Sequence, residues 1–201
     1  MYCGHARVLQ RTRYISKIFQ CKFSISKNFN SDIYQPVVSE LFDLQQEFKT
    51  LTIDLNVLKD RKLWDHISTK FGLVEDLSIS SSFDPGFRPV LASWPQKIAI
   101  MNSDWFTLES FLACTCTRIK LGWSNFGNND LDVILRKWKT GGFPNLERLM
   151  ITSGKMKDNG EHILGMNWSE LEGMVILSDD GSKKATIHTY FCSFKMSVTP
   201  I

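Results

Sequence analysis

The feature that most constrains this chain is a short apolar core that recurs along it. LTIDL at 51–55, DLSIS at 76–80, KIAIM at 97–101, TRIKL at 117–121, LERLMIT at 146–152 and GMVIL at 173–177 each place apolar side chains at alternate positions. Period-two alternation is the mark of a strand with one buried face. Aligned on one inward position, the cores read Ile53, Ile79, Ile100, Leu121, Ile151 and Ile176, separated by 21 to 30 residues. Such a strand cannot bury its apolar face alone and needs neighbours of the same kind.

The segments between the cores supply helices. In NNDLDVILRKWKTGGFPNLERLMITS, residues 128–153, Asn129 or Asp130 suits the helix start, because a short acceptor satisfies amides that lack an intrahelical partner. Leu131, Ile134, Leu135 and Trp138 follow as a single apolar stripe. Gly141 and Gly142 end the helix, and Pro144 prevents its resumption. A second helix is expected from Asp60, with Leu63, Trp64, Ile67 and Phe71 as its stripe and Gly72 as its stop. A third is expected over 37–47 and a short one at Leu108, Phe111 and Leu112, with a weak helix around Ile163, Leu164 and Leu171. The prolines between Ser81 and Pro95 predict a crossing without regular helix.

Strand-plus-helix units at this interval are the signature of leucine-rich-repeat architecture. The intervals are uneven and no asparagine recurs. The expected fold is therefore α/β, a degenerate leucine-rich-repeat-like stack of strand–helix units. Asp180 and Gly181 form a hairpin turn into KATIH at 184–188, giving a C-terminal β-hairpin cap. A compact sheet with βα alternation is the rival, but no glycine-rich phosphate loop follows any strand. Two segments are expected: 1–47, basic and partly helical, and 48–201, the repeat domain. The first carries Arg7, Arg11, Arg13, Lys17, Lys22 and Lys27 with no acid before Asp32. That resembles a targeting presequence in charge, but Val8, Ile15, Ile18, Phe19, Phe23 and Ile25 make it apolar enough to pack.

Chemistry-bearing patterns are sparse. His5, His66, His162 and His188 have no partner at catalytic or metal spacing. Cys114 and Cys116 lack a second pair at zinc-like spacing and read as small buried thiols. Asp179, Asp180 and Gly181 lack the rest of a calcium loop. No enzyme, metal or cofactor is expected. The five cysteines are an odd number without framework spacing, which suggests reduced thiols inside a cell, in cytoplasm or nucleus. The net charge of +3 and the absence of a long apolar run imply neither a nucleic-acid nor a membrane partner.

If the strands stack in parallel, their outward residues form one surface, acidic and polar at Thr52, Asp54 and Asp76, and basic at Arg118, Lys120 and Arg148 beside Met101 and Met150. Arg118, Lys120 and Arg148 are the expected protein-binding residues, since a repeat stack commonly recognises partners on its strand face. Among the tryptophans, Trp64 and Trp138 belong to core stripes, whereas Trp94, Trp105, Trp123 and Trp168 stand near element ends, to cover an edge or anchor a partner.

The run from Ala92 to Ile151, with its words SDWFTLES and GGFPNLERL, and the tail LEGMVILSDDGSKKATI at 171–187 resemble the type-2 F-box-associated domain of a nematode-expanded family. The resemblance covers about 150 residues from near Phe48, and the stretch from about Leu9 to Phe48 resembles the connecting region of longer members. It implies the substrate-recognition part of an SCF-type ubiquitin ligase receptor, which holds a target protein near the ligase and performs no chemistry itself. The family supplies no catalytic residues. The opening residues lack a Leu- and Pro-rich F-box, so the resemblance does not extend to docking on a Skp1-type adaptor. The alternative is a structural or decoy repeat-type binding domain unrelated to ubiquitin.

Overall fold

The computed structural model describes residues 23–28, 42–43, 47–54, 61–80 and 89–201. The chain divides into two compact units, Met1–Pro95 and Gln96–Ile201. Of the helix expected over 37–47, Phe42 and Asp43 are described and helical, and Glu47 is described and not helical; the rest lies outside the described residues, as does most of the segment 1–47.

In the first unit, strands β1 (Phe23–Asn28), β2 (Phe48–Asp54) and β3 (Val74–Ser80) pair in parallel. Ile53 stands opposite Ile79 and Leu51 opposite Leu77, the alignment expected from their apolar periodicity. The helix α1 (Arg61–Ser68) connects β2 to β3, and Trp64, Ile67 and Phe71 are buried. The Trp64 and Phe71 rings meet edge to face at 5.6 Å, and the Trp64 indole donates to the Val90 carbonyl at 2.9 Å. Gly72 is not the stop of this helix: α1 ends at Ser68, and Gly72 sits inside a 3₁₀ turn, Phe71–Leu73. The Ser68 carbonyl accepts from both the amide and the hydroxyl of Ser93, and the Gly72 amide donates to the Ser93 hydroxyl. Ser93 thus takes the two groups that would have bonded each other in another helical turn.

In the second unit, β4 (Lys97–Ile100), β5 (Arg118–Leu121) and β6 (Arg148–Thr152) are parallel, with Ile100, Leu121 and Ile151 in register. The helix α2 (Leu108–Leu112) connects β4 to β5, and α3 (Asn128–Lys139) connects β5 to β6. Beyond β6 the order departs from the expected repeat. The strand at Val175–Leu177, β7, does not join β6. It pairs antiparallel with β8 (Lys183–Tyr190), which pairs antiparallel with β9 (Ser193–Pro200), and β9 occupies the place beside β6. Ile176 therefore faces Ala185, and Ile151 faces Phe194. The antiparallel pairing expected between 173–177 and 184–188 is present. The weak helix expected around 163–171 is replaced by a bridge between Ile163 and Met166 and a 3₁₀ turn, Trp168–Leu171; Gly165, with φ of +85°, interrupts it.

The helix α3 carries the stripe its sequence announces: Leu131, Ile134, Leu135 and Trp138 are all buried. Each such burial is worth about 1.5–3 kcal/mol, an upper figure because an unfolded chain is itself partly collapsed. The helix begins at Asn128 rather than at the expected Asn129 or Asp130, with Gly127 before it. Asp130 acts as the third helical residue, and its carboxylate accepts from the Gly127 amide at 2.8 Å. At the other end, the Gly141 amide donates to the Trp138 carbonyl and the Gly142 amide to the Lys137 carbonyl, the paired closure of a Schellman motif. Gly141 needs its φ of +87°, and a Cβ on Gly142 would lie 2.6 Å from the Lys137 carbonyl oxygen.

Candidate protein-interaction surface

Strand alternation in the second unit sends one set of side chains inward. Ile98, Ile100, Ile119, Leu121, Leu149 and Ile151 on β4 to β6 are buried, as are Ala185, Ile187, Phe194 and Met196 on β8 and β9. The alternate residues form the opposite face, whose composition follows from register. Lys97, Arg118, Arg148, Ser197, Thr186 and Val175 stand in one row across the strands. Ala99, Lys120, Met150, Lys195 and His188 form the next. Arg118, Lys120 and Arg148, named from the sequence, thus share one sheet face on adjacent strands, and Arg118 stands directly opposite Arg148. All three are exposed.

The six strands of this unit contain no aspartate or glutamate. Two carboxylates reach the face from its margins. Glu147 accepts from the Arg118 guanidinium at 3.1 Å, and Glu172 meets His188 Nδ1 at 3.0 Å. The His188 contact, then the Thr189 amide, holds the Glu172 carboxyl below its ordinary range. Both pairs are about half exposed, so solvent screens them and neither holds the sheet together. Among the described residues, Lys120, Arg148, Lys184 and Lys195 have no carboxylate within ion-pair distance. Like charges directly opposite one another weaken a sheet. The Arg118–Arg148 pair is therefore held by the inward packing of its strands.

Lys184 and Lys195 belong to this face and were not named from the sequence. Lys195 alternates with buried Phe194 and Met196, a period-two signal in SFKMSVTP that reveals the strand once it is looked for. Where that strand inserts was beyond sequence reasoning.

Other candidate positions resolve differently. Cys114 and Cys116 are both buried, and the hydrogen bond that the Cys116 thiol shares with Cys114, followed by burial, pushes the Cys116 thiol far up, so it is an unreactive thiol at neutral pH. Among the described residues, no cluster of His, Cys, Asp or Glu is arranged to hold a metal ion. Asp180 closes the β7–β8 hairpin turn, accepting from the Ser178 hydroxyl at 2.6 Å and the Ser182 amide at 3.0 Å. Its carboxyl is thereby held down to about 2. His66 lies at the surface of the first unit, 3.1 Å from the Asp43 carboxylate, which also accepts from Lys70. An open depression of about 430 Å³ in that unit is lined by Glu47, Thr69, Lys70, Gly72 and Leu73, which offer no nucleophile with an adjacent base. Trp64, Trp138 and Trp168 are buried, while Trp123 is 68% exposed. No helix among the described residues is long and apolar enough to cross a membrane.

No curated protein and no solved structure matches the chain at a significant level. Residues 87–151, which run from the approach to β4 through β5 and α3 to β6, match the model of the F-box associated family. Over that stretch the resemblance carried by SDWFTLES and GGFPNLERL is borne out.

Proposed function

We propose that this chain is a non-enzymatic protein-interaction domain, the substrate-recognition part of an SCF-type ubiquitin ligase receptor, and that it captures its target on the outward sheet face of the Gln96–Ile201 unit. The observation that carries the reading is that face: an acid-free array of strands with Arg118, Lys120 and Arg148 side by side, inside and beside the segment that matches the F-box associated family. Capture of this kind raises the local concentration of a target and requires complementarity, not reacting groups. The reading entails a site of action in cytoplasm or nucleus.

We read residues 48–201 as the recognition domain, built of degenerate leucine-rich-repeat-like units, and 1–47 as a connecting segment. Supporting the repeat reading are the register pairs Ile53 with Ile79 and Ile100 with Leu121 and Ile151, which are the inward positions aligned from the sequence.

The test is affinity capture from native extract with the wild-type chain and with the triple variant Arg118→Glu, Lys120→Glu, Arg148→Glu. Proteins that copurify with the wild-type chain and carry ubiquitin in its presence should be lost from the triple variant, while its unfolding midpoint stays unchanged. Equal recovery by both forms refutes the assigned face. A captured protein whose ubiquitylation is indifferent to the chain refutes the ligase role.

A further inference from the structure

The third row of the outward face differs from the two basic ones. Thr152, Ser193 and Tyr190 stand in register there, and Tyr190 is 72% exposed. Its ring meets that of Phe191 edge to face at 4.5 Å, and Phe191 is 78% exposed. Trp123 lies at the same end of the sheet. The Ser124 amide donates to the Thr152 carbonyl at 2.9 Å, and the Ser153 amide donates to the Cys192 carbonyl at 2.8 Å. Trp123 and Phe191 therefore flank the end of β6 from either side, about two strand spacings or roughly 10 Å apart across the sheet.

Both residues hold an unusual backbone conformation, with φ of +50° at Trp123 and +47° at Phe191. For a bulky residue this region is strained, and glycine or asparagine would relieve it. Two large aromatics are thus kept in strained, solvent-exposed positions beside one another's strands, where neither burial nor backbone preference accounts for them. Strain retained at an exposed site points to a contact made there. Exposed Trp and Tyr flanking a cationic patch have the composition of an interface centre.

We propose that this face binds an extended, acidic polypeptide segment whose carboxylates meet Lys120, Arg148, Lys184 and Lys195 and whose apolar side chain is anchored between Trp123 and the Tyr190–Phe191 pair. The proposal rests on the target-capture reading and adds the chemistry of the target. Arg118 and Lys120 project from the same face at i and i+2, roughly 6.8 Å apart along the strand, the spacing at which an extended peptide presents alternate carboxylates. The exposed side chains of Met101, Val175 and Leu177 border the patch and suit apolar groups of a polypeptide. A nucleic acid offers no aliphatic side chain for these positions, which favours a polypeptide over a nucleic acid.

The test measures anisotropy of labelled probes with the full chain. The probes are a peptide of alternating glutamates with one central leucine, the same peptide with glutamine for glutamate, the glutamate peptide without leucine, and a single-stranded oligonucleotide of equal charge. The first peptide should bind at least tenfold more tightly than the other three and weaken steadily with added salt. Lys120→Glu with Lys195→Glu should cost at least tenfold. Phe191→Asn and Trp123→Asn should each cost roughly tenfold or more while the urea midpoint holds or rises, because asparagine relieves the backbone; a purely structural role would lower it. Tighter binding of the oligonucleotide, equal binding of all peptides, or variants without effect would overturn the proposal. Where the charge-reversed triple variant loses its cellular target yet no acidic peptide binds, the acidic-segment inference fails and the target-capture reading stands.

Discussion

Asn128 offers the sharpest test of how the second unit is held together. It is fully buried in the first turn of α3, and its side-chain amide donates to the Lys157 carbonyl at 2.7 Å and to Asn159 Oδ1 at 2.9 Å. Asn159 cannot simply turn over to help a changed partner, because its oxygen also accepts from the Glu161 amide and its nitrogen donates to Glu161. Consider Asn128→Asp, nearly identical in shape. A carboxylate in the first turn of a helix gains about 0.3–1 kcal/mol from the macrodipole. Against that, two donated hydrogen bonds become contacts between acceptors, and a charge without a donor partner is buried, at about 3–5 kcal/mol. The loss outweighs the gain, so the variant should be less stable at neutral pH by about 2–4 kcal/mol. Asn128→Ala, which deletes both bonds without burying charge, should cost about 1–3 kcal/mol. The sign of the pH dependence follows. Burial raises the pKa of the introduced carboxyl, so its penalty is full at neutral pH and shrinks as protonation restores one donor at lower pH. Urea unfolding of the three proteins at neutral pH and near the carboxylate range would measure this. An aspartate variant at least as stable as the alanine variant at neutral pH, or a gap that does not narrow with acid, would refute the donor assignment.

Gly122→Ala should destabilise the second unit by about 1–3 kcal/mol, since the new Cβ would lie 2.4 Å from the Met101 carbonyl oxygen, a backbone atom with little room to move; an unchanged thermal midpoint would contradict this. Leu135→Ala, at a fully buried stripe position, should cost about 2–5 kcal/mol by urea unfolding, whereas Val133→Ala on the exposed side of the same helix should cost no more than about 0.5 kcal/mol. The Asp180 carboxyl, held down to about 2 chiefly by the Ser178 hydroxyl and then by the Ser182 amide and hydroxyl, lies below the ordinary unfolded value of about 3.9. Its contribution to stability is therefore present above about pH 4 and is lost as pH falls through about 2. Carbon-detected titration should place its midpoint near 2 in the wild type and clearly higher in Ser178→Ala with Ser182→Ala, though still below the unfolded value because the Ser182 amide remains; equal midpoints would remove the hydroxyls as the cause.

Much of the inner structure was legible in residue order because it depends on local periodicity. Two-residue alternation located β2 to β8 to within a few residues and gave the register within β2–β3 and β4–β6, where Ile100, Leu121 and Ile151 were aligned by pattern and are paired in space, but not that of Ile176 on β7, which faces Ala185. The helix α3 announced its stripe and its double-glycine stop. The errors lie where a distant group intervened. The helix α1 stops at Ser68 because Ser93 captures its carbonyl, and no local residue signals that. The β8–β9 hairpin turns through Tyr190, Phe191 and Cys192 without a glycine or asparagine, so the usual turn chemistry was absent and β9 went unseen.

The candidate surface divides along the same line. Arg118, Lys120 and Arg148 could be assigned to one face from alternation alone, because adjacent parallel strands keep their side-chain phase. Lys184, Lys195, His188 and Tyr190 joined them only through the tertiary structure, which inserts β9 between β6 and β8 and brings residues nearly 50 positions apart into one row, as when Arg148 meets Ser197. By itself the sequence determined which side of each strand is buried, since apolar burial acts residue by residue. The tertiary structure decided which strands are neighbours, because hydrogen-bond pairing between strands depends on backbone groups that are the same at every residue.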